Sequence, residues 1–201
     1  VREILGRQRR NRRTPRDAAL AYAVHRGWPV LPGAGVRSDG RCRCDGTHCP
    51  VPGVHPDAPE LLGATTDARM VHWWWTDRPA APLLLATGSP APCGLSLPAI
   101  AGRRALTALD QQGLRTGPVL ASPTRVALLV APYSLPELGE ALCALLDAPA
   151  TDGHGPAELP GALRFHGSGG YLPLPPSWTA TGRVVWLRPP RPAGVPPRRP
   201  P

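Results

Sequence analysis

The stretch CRCDGTHCPVPGVH, residues 42–55, places three thiols and two imidazoles in one glycine- and proline-punctuated loop. That composition reads as a metal site. Tetrahedral zinc takes thiolate sulfur and imidazole nitrogen, and a loop with few apolar residues has little else to hold it folded. Cys42, Cys44, Cys49 and His55 are the expected ligands. His48 is the reserve, since its place beside Cys49 makes ligation by both awkward. The competing reading is free surface cysteines or a disulfide pair, because the spacing is not a standard finger pattern. A closed four-ligand site is structural. It leaves no open position for a reactive water and so argues for a shaped loop, not for hydrolysis.

A chain of 201 residues buries one respectable core, so a single domain is expected over residues 15–188, with the zinc loop at 37–56. Residues 1–14 read as a basic disordered arm and 189–201 as an extended Pro/Arg-rich tail. No apolar signal segment or bilayer-length run is present, so a reducing cytoplasm and no membrane association are expected. Cys93 and Cys143 are then expected to be buried small hydrophobes.

The formal charge of +9 comes from 23 basic residues, all arginine, in a composition typical of a GC-rich genome. Codon supply accounts for part of the bias, but the charge still favours a polyanion, with nucleic acid first and an anionic membrane surface second. RQRRNRRTPR near the start carries six of these arginines and would track phosphates as well as it would serve as a solvated tail.

Helix and strand signals alternate between the tails. Thr14, Pro15 and Asp17 open a helix over 18–25 that stops at Gly27, and 28–31 reads as a short buried strand. Thr66 and Asp67 cap a helix through Trp73, Trp74 and Trp75, of which at least one and as many as two belong in the core because consecutive helical positions diverge. Further helices are expected over 99–112 and 135–146, with strands at 83–86, 94–97, 119–121, 125–131, 163–166, 170–174 and 183–187. Interleaving of this kind predicts an α/β (α+β) fold, two-layered, with a mixed central sheet flanked by helices.

Several stretches in this order resemble the bifunctional DNA primase/polymerase (Prim-Pol) N-terminal domains of the archaeo-eukaryotic primase superfamily. AALAYAVHRGWPVLP is similar to the family's opening helix and GWPV phrase, PGVHP to its PGKHP, and ATTDARMVHWWWTDRP to its ATTD helix with a tryptophan pair. LLLATG resembles its strand-to-turn step and LRFHGSGGYLPLPPS its arginine–glycine–glycine–tyrosine segment. The resemblance implies a primase-polymerase-like fold, a zinc-stem role for the Cys/His loop, DNA as partner and a replication protein as a second one.

It also exposes departures. Such polymerases seat two Mg²⁺ or Mn²⁺ ions on carboxylates, because hard cations need anionic oxygen. The family's Asp-x-Asp positions fall at Ser96 and Pro98, and its last acidic position at Arg164. Where a serine-x-histidine motif is expected, Ser122, Thr124 and Arg125 appear without histidine; the nearest acids, Asp110 and Glu158, lie outside these motifs. A catalytically degenerate, nucleic-acid-binding or accessory domain is therefore expected, carrying structural zinc. The alternatives are an active primase/polymerase with a rebuilt Mg²⁺/Mn²⁺ site, and a protein-interaction module anchored on the tryptophans. His166 and Tyr171 flank the turn from Gly167 to Gly170, where Ser168, Arg125, Arg164 and His166 are candidate nucleotide or phosphate contacts. A glycine turn with no ligand competes with that reading.

Overall fold

The computed structural model describes residues 14–44, 46, 48–147 and 160–191. The basic arm before Thr14, most of the C-terminal tail and Glu158 lie outside the described residues. The chain divides into two compact units, one of residues 1–85 and 173–185, the other of residues 86–172 and 186–201.

The first unit opens with α1 (Pro15–Arg26), whose N-cap Thr14 side chain accepts from the Asp17 amide, as the capping pattern requires. Ala18, Ala19 and Ala23 face inward and let α1 pack closely on α2 (Ala68–Asp77). The Asp67 carboxylate accepts from the Arg69 and Met70 amides and starts α2. Trp74 and Trp75 are buried and Trp73 is 61% exposed, which settles the direction of the three consecutive indoles. The Trp75 indole N–H donates to the Ala81 carbonyl, so this large side chain enters the core with its polar atom satisfied.

Against the helices lies a three-stranded sheet in the order β1 (Val30–Pro32), β2 (Leu83–Ala86), β7 (Tyr171–Leu174), with Val30 opposite Leu85 in the antiparallel β1–β2 ladder. Its run of Val30, Leu31, Leu83, Leu84 and Leu85 is fully buried, which explains the absence of polar alternation in these strands. The Ser177 hydroxyl accepts from the Leu83 amide at 2.7 Å and donates to its carbonyl, closing the end of β2. The first strand begins at Val30 and not at residue 28, because Trp28 is stacked on Tyr22 with ring centroids 5.7 Å apart.

The second unit holds a five-stranded sheet in the order β10 (Val185–Arg188), β4 (Val119–Ala121), β5 (Arg125–Val130), β3 (Cys93–Pro98), β6 (Arg164–His166). The β4–β5, β3–β5 and β3–β6 ladders are antiparallel. Helix α3 (Ala99–Gln111) follows β3 directly and packs on β3 and β5, with Leu106 against Val119, Ala121 and Val126. Helix α4 (Leu135–Leu146) starts with a reciprocal capping box between Ser134 and Glu137. A short ribbon, β8 (Trp178–Thr179) with β9 (Gly182–Arg183), and a single 3₁₀ turn at Leu61–Gly63 complete the elements. The α+β interleaving expected from the sequence is present. Cys143 corrects one expectation: α4 buries none of its residues, so this thiol is exposed, whereas Cys93 at the start of β3 is fully buried.

Candidate metal cluster and cationic sheet face

The loop after β1 is pinned back on itself at both ends. Ala34 donates to the His55 carbonyl and Gly35 to the Gly53 carbonyl, while Val36 bridges to Cys42. Gly53 adopts φ 76°, and a Cβ there would lie 2.7 Å from Val36 Cγ1, so the close approach of the two arms requires glycine. The folded loop brings the ligand atoms of Cys42, Cys44, Cys49 and His55 within 4.8 Å of one another. Tetrahedral bonds of about 2.3 Å would hold sulfurs about 3.8 Å apart, so this donor set fits one metal ion with small adjustment. His48 is not part of the cluster.

The surroundings prepare these donors. Burial pushes the Cys42 thiol up, but donation from the Cys44 and Gly53 amides and contact with the Cys44 and His55 side chains outweigh it and bring it down to about 6. Cys49 is pushed up to about 11 by burial and by the neighbouring Cys42 and Cys44 sulfurs, against a smaller effect of the Val51 amide. His55 Nδ1 lies 2.6 Å from the Pro56 carbonyl and can only donate there, which leaves Nε2, 3.2 Å from Cys42 Sγ, as the ligand atom.

A second constellation sits on the five-stranded sheet of the other unit. Ser96 on β3 stands directly opposite Arg164 on β6 and Ala127 on β5, and Pro98 opposite Arg125. Positions 96 and 98 share one face of their strand and directly opposed residues share a face, so the three positions assigned to carboxylates by resemblance converge. Ser96 is 2% exposed. Its hydroxyl lies 2.9 Å from His166 Nε2 and accepts from Arg125 Nε at 3.1 Å. Arg125 Nη2 also donates to the Ser96 and Ala162 carbonyls at 2.7 and 2.9 Å.

This face is cationic. Burial, then Arg125, holds the His166 imidazole below its ordinary value; Arg164 adds to this, and a hydrogen bond involving the Tyr171 backbone opposes it. The Arg125 guanidinium is likewise lowered by burial and by Arg164. No carboxylate contributes to either shift. Among the described residues, the Cys/His loop is the one group of three or more His, Cys, Asp or Glu positioned to hold a metal. Asp110, one of the two nearest acids in sequence, is paired with Arg188.

The structure thus brings Arg125 and His166 together through Ser96, with Arg164 alongside in register. Ser168 is placed differently. It packs on Gly88, whose φ is 106° and where a Cβ would lie 2.7 Å from Ser168 Cα. The turn around it is held by Thr87, whose hydroxyl donates to the Gly167 carbonyl and whose amide donates to Gly170. Ser122 closes the β4–β5 turn through the Arg125 backbone. The linking role of Ser96 was not legible beforehand, since it depends on a register formed across 70 residues of sequence.

A family model described as "Bifunctional DNA primase/polymerase, N-terminal" (Prim-Pol) matches residues 19–200. Neither the curated proteins nor the solved structures contain a match to this chain. No helix among the described residues is long and apolar enough to cross a membrane.

Proposed function

The chain belongs to the bifunctional DNA primase/polymerase N-terminal family, and we propose that within it this member is a catalytically degenerate domain that binds nucleic acid, DNA foremost, as an accessory to replication proteins. The observation that carries the reading is the composition of the Ser96 face. A hydroxyl, a proline and an arginine occupy the positions where two divalent ions would need anionic oxygens, and Arg125 and His166 stand beside them. Cations placed there repel Mg²⁺ or Mn²⁺, and the low dielectric of a half-buried sheet face strengthens that repulsion.

Zinc is the metal best suited to the Cys42, Cys44, Cys49 and His55 cluster, because three thiolates and one imidazole form a soft, closed tetrahedral set. The ion would hold the loop's shape and contribute no open coordination position. The net charge of +9 supplies the attraction to phosphate backbones, which needs no base-specific contact. The reading is tested by combining DNA-binding titrations with a primer-extension assay. It requires salt-sensitive binding without added divalent ion and no template-directed incorporation with either divalent ion.

A further inference from the structure

The Ser96 face carries positive charge for which the described residues supply no counterion. The ion pairs among the described residues, Arg41–Asp39, Arg78–Asp77 and Arg188–Asp110, all lie elsewhere. Arg125 has five N–H donors. Nε and Nη2 are committed to Ser96 and Ala162, which leaves Nη1 with its own N–H groups. Arg164 is exposed directly across the ladder from Ser96, close enough to Arg125 to disfavour its charge. A purely structural role accounts for the three bonds of Arg125, which tie β3 to the segment before β6. It does not account for a second arginine held beside the first with no acid among the described residues paired to either.

We propose that this face binds a phosphate group directly, with no divalent ion between, through Arg125 Nη1 and the Arg164 guanidinium. The inference rests on the degenerate reading above and gives the altered positions a use. Where carboxylates would recruit metal and the metal would recruit phosphate, guanidinium groups contact the phosphate oxygens themselves. Planar guanidinium matches phosphate geometry and stays charged at any relevant pH. An anion between Arg125 and Arg164 would also offset the like charge that Arg164 places beside Arg125. The phosphate can come from a free nucleotide or from a nucleic-acid strand, and the chemistry is shared.

The test is calorimetric titration of the intact chain with inorganic pyrophosphate in chelator-free buffer without added divalent ion, repeated with Arg164→Gln. Arg164 is exposed, so its replacement leaves the core intact, which circular dichroism verifies. Binding should occur without added divalent ion, should not strengthen when magnesium is added, and should weaken about tenfold or more in Arg164→Gln. A matched pair of short thymidine oligonucleotides, one 5′-phosphorylated and one not, separates the sources. A preference for the phosphorylated strand that Arg164→Gln erases identifies a strand phosphate. Equal binding of the pair alongside tight binding of thymidine triphosphate identifies a free nucleotide. No pyrophosphate binding in the chelator-free buffer, a magnesium requirement, or affinity unchanged by Arg164→Gln overturns the proposal. Such a failure with salt-sensitive DNA binding intact leaves the degenerate, nucleic-acid-binding reading standing, whereas primer extension by the native chain removes that reading itself.

Discussion

Ser96 and Arg164 face each other across the antiparallel β3–β6 ladder, one hydroxyl and one guanidinium on the same face of the sheet. The same pairing would bring two carboxylates together if they stood at these positions, but a hydroxyl and a guanidinium stand there instead. Function in such a scaffold follows from the side chains, not from the fold.

The Cys/His loop gives the first prediction. Purified under reducing conditions without chelator, the protein should carry about one zinc ion per chain. Cys42→Ser or Cys49→Ser should remove it and loosen the loop, because an incomplete tetrahedral shell binds far more weakly. Elemental analysis and limited proteolysis read both effects. Protein free of zinc under those conditions contradicts the assignment.

Consecutive tryptophans on α2 should differ sharply. Trp75→Ala removes a 1% exposed indole and leaves the Ala81 carbonyl without its donor, which should cost about 3–5 kcal/mol. Trp73→Ala, at an exposed position, should stay within about 0.5 kcal/mol of the parent. Denaturant midpoints compare the two.

Acid should weaken the second unit partly through His166. Its folded-state value lies below the ordinary one, so the unfolded chain takes up the proton first as pH falls. The contribution is complete above the ordinary histidine value of about 6.5 and declines as pH drops through the folded value. Carboxylates such as Asp67 and Glu137, lowered by backbone hydrogen bonds, act in a more acidic range. Stability measured against pH should therefore be flatter in His166→Gln than in the parent between about pH 6.5 and 5. Identical slopes would remove His166 from the account.

DNA binding should be tolerant of sequence and steep in salt. If about four phosphates are engaged, the log–log slope should be near −3.6 for duplex DNA. Deleting residues 1–13 should make it shallower, because that segment is rich in arginine. A salt-insensitive interaction would point instead to a protein partner.

Local signals made most elements legible. Thr14, Asp67 and Ser134 each cap a helix through their own side chain, and 83–86 and 135–146 fall where propensity places them. The Cys/His cluster was legible because its four side chains are crowded into one short loop of few apolar residues. The Ser96 network was not. Arg125 and His166 meet only because β3 pairs with β5 on one side and β6 on the other, and no local pattern encodes that choice of neighbours. Cys143 was misplaced for a related reason: burial of α4 depends on tertiary partners, and apolar content alone does not supply them.

Primer synthesis and extension on a single-stranded template, with magnesium and separately with manganese, tests the central claim most directly. The account predicts no template-directed product from the unmodified protein, alongside retained fold and metal in the same preparation, because Ser96, Pro98 and Arg164 supply no anionic oxygen to seat the ions. Divalent-dependent product that is abolished by replacing an acid elsewhere in the chain, such as Asp110, would contradict it.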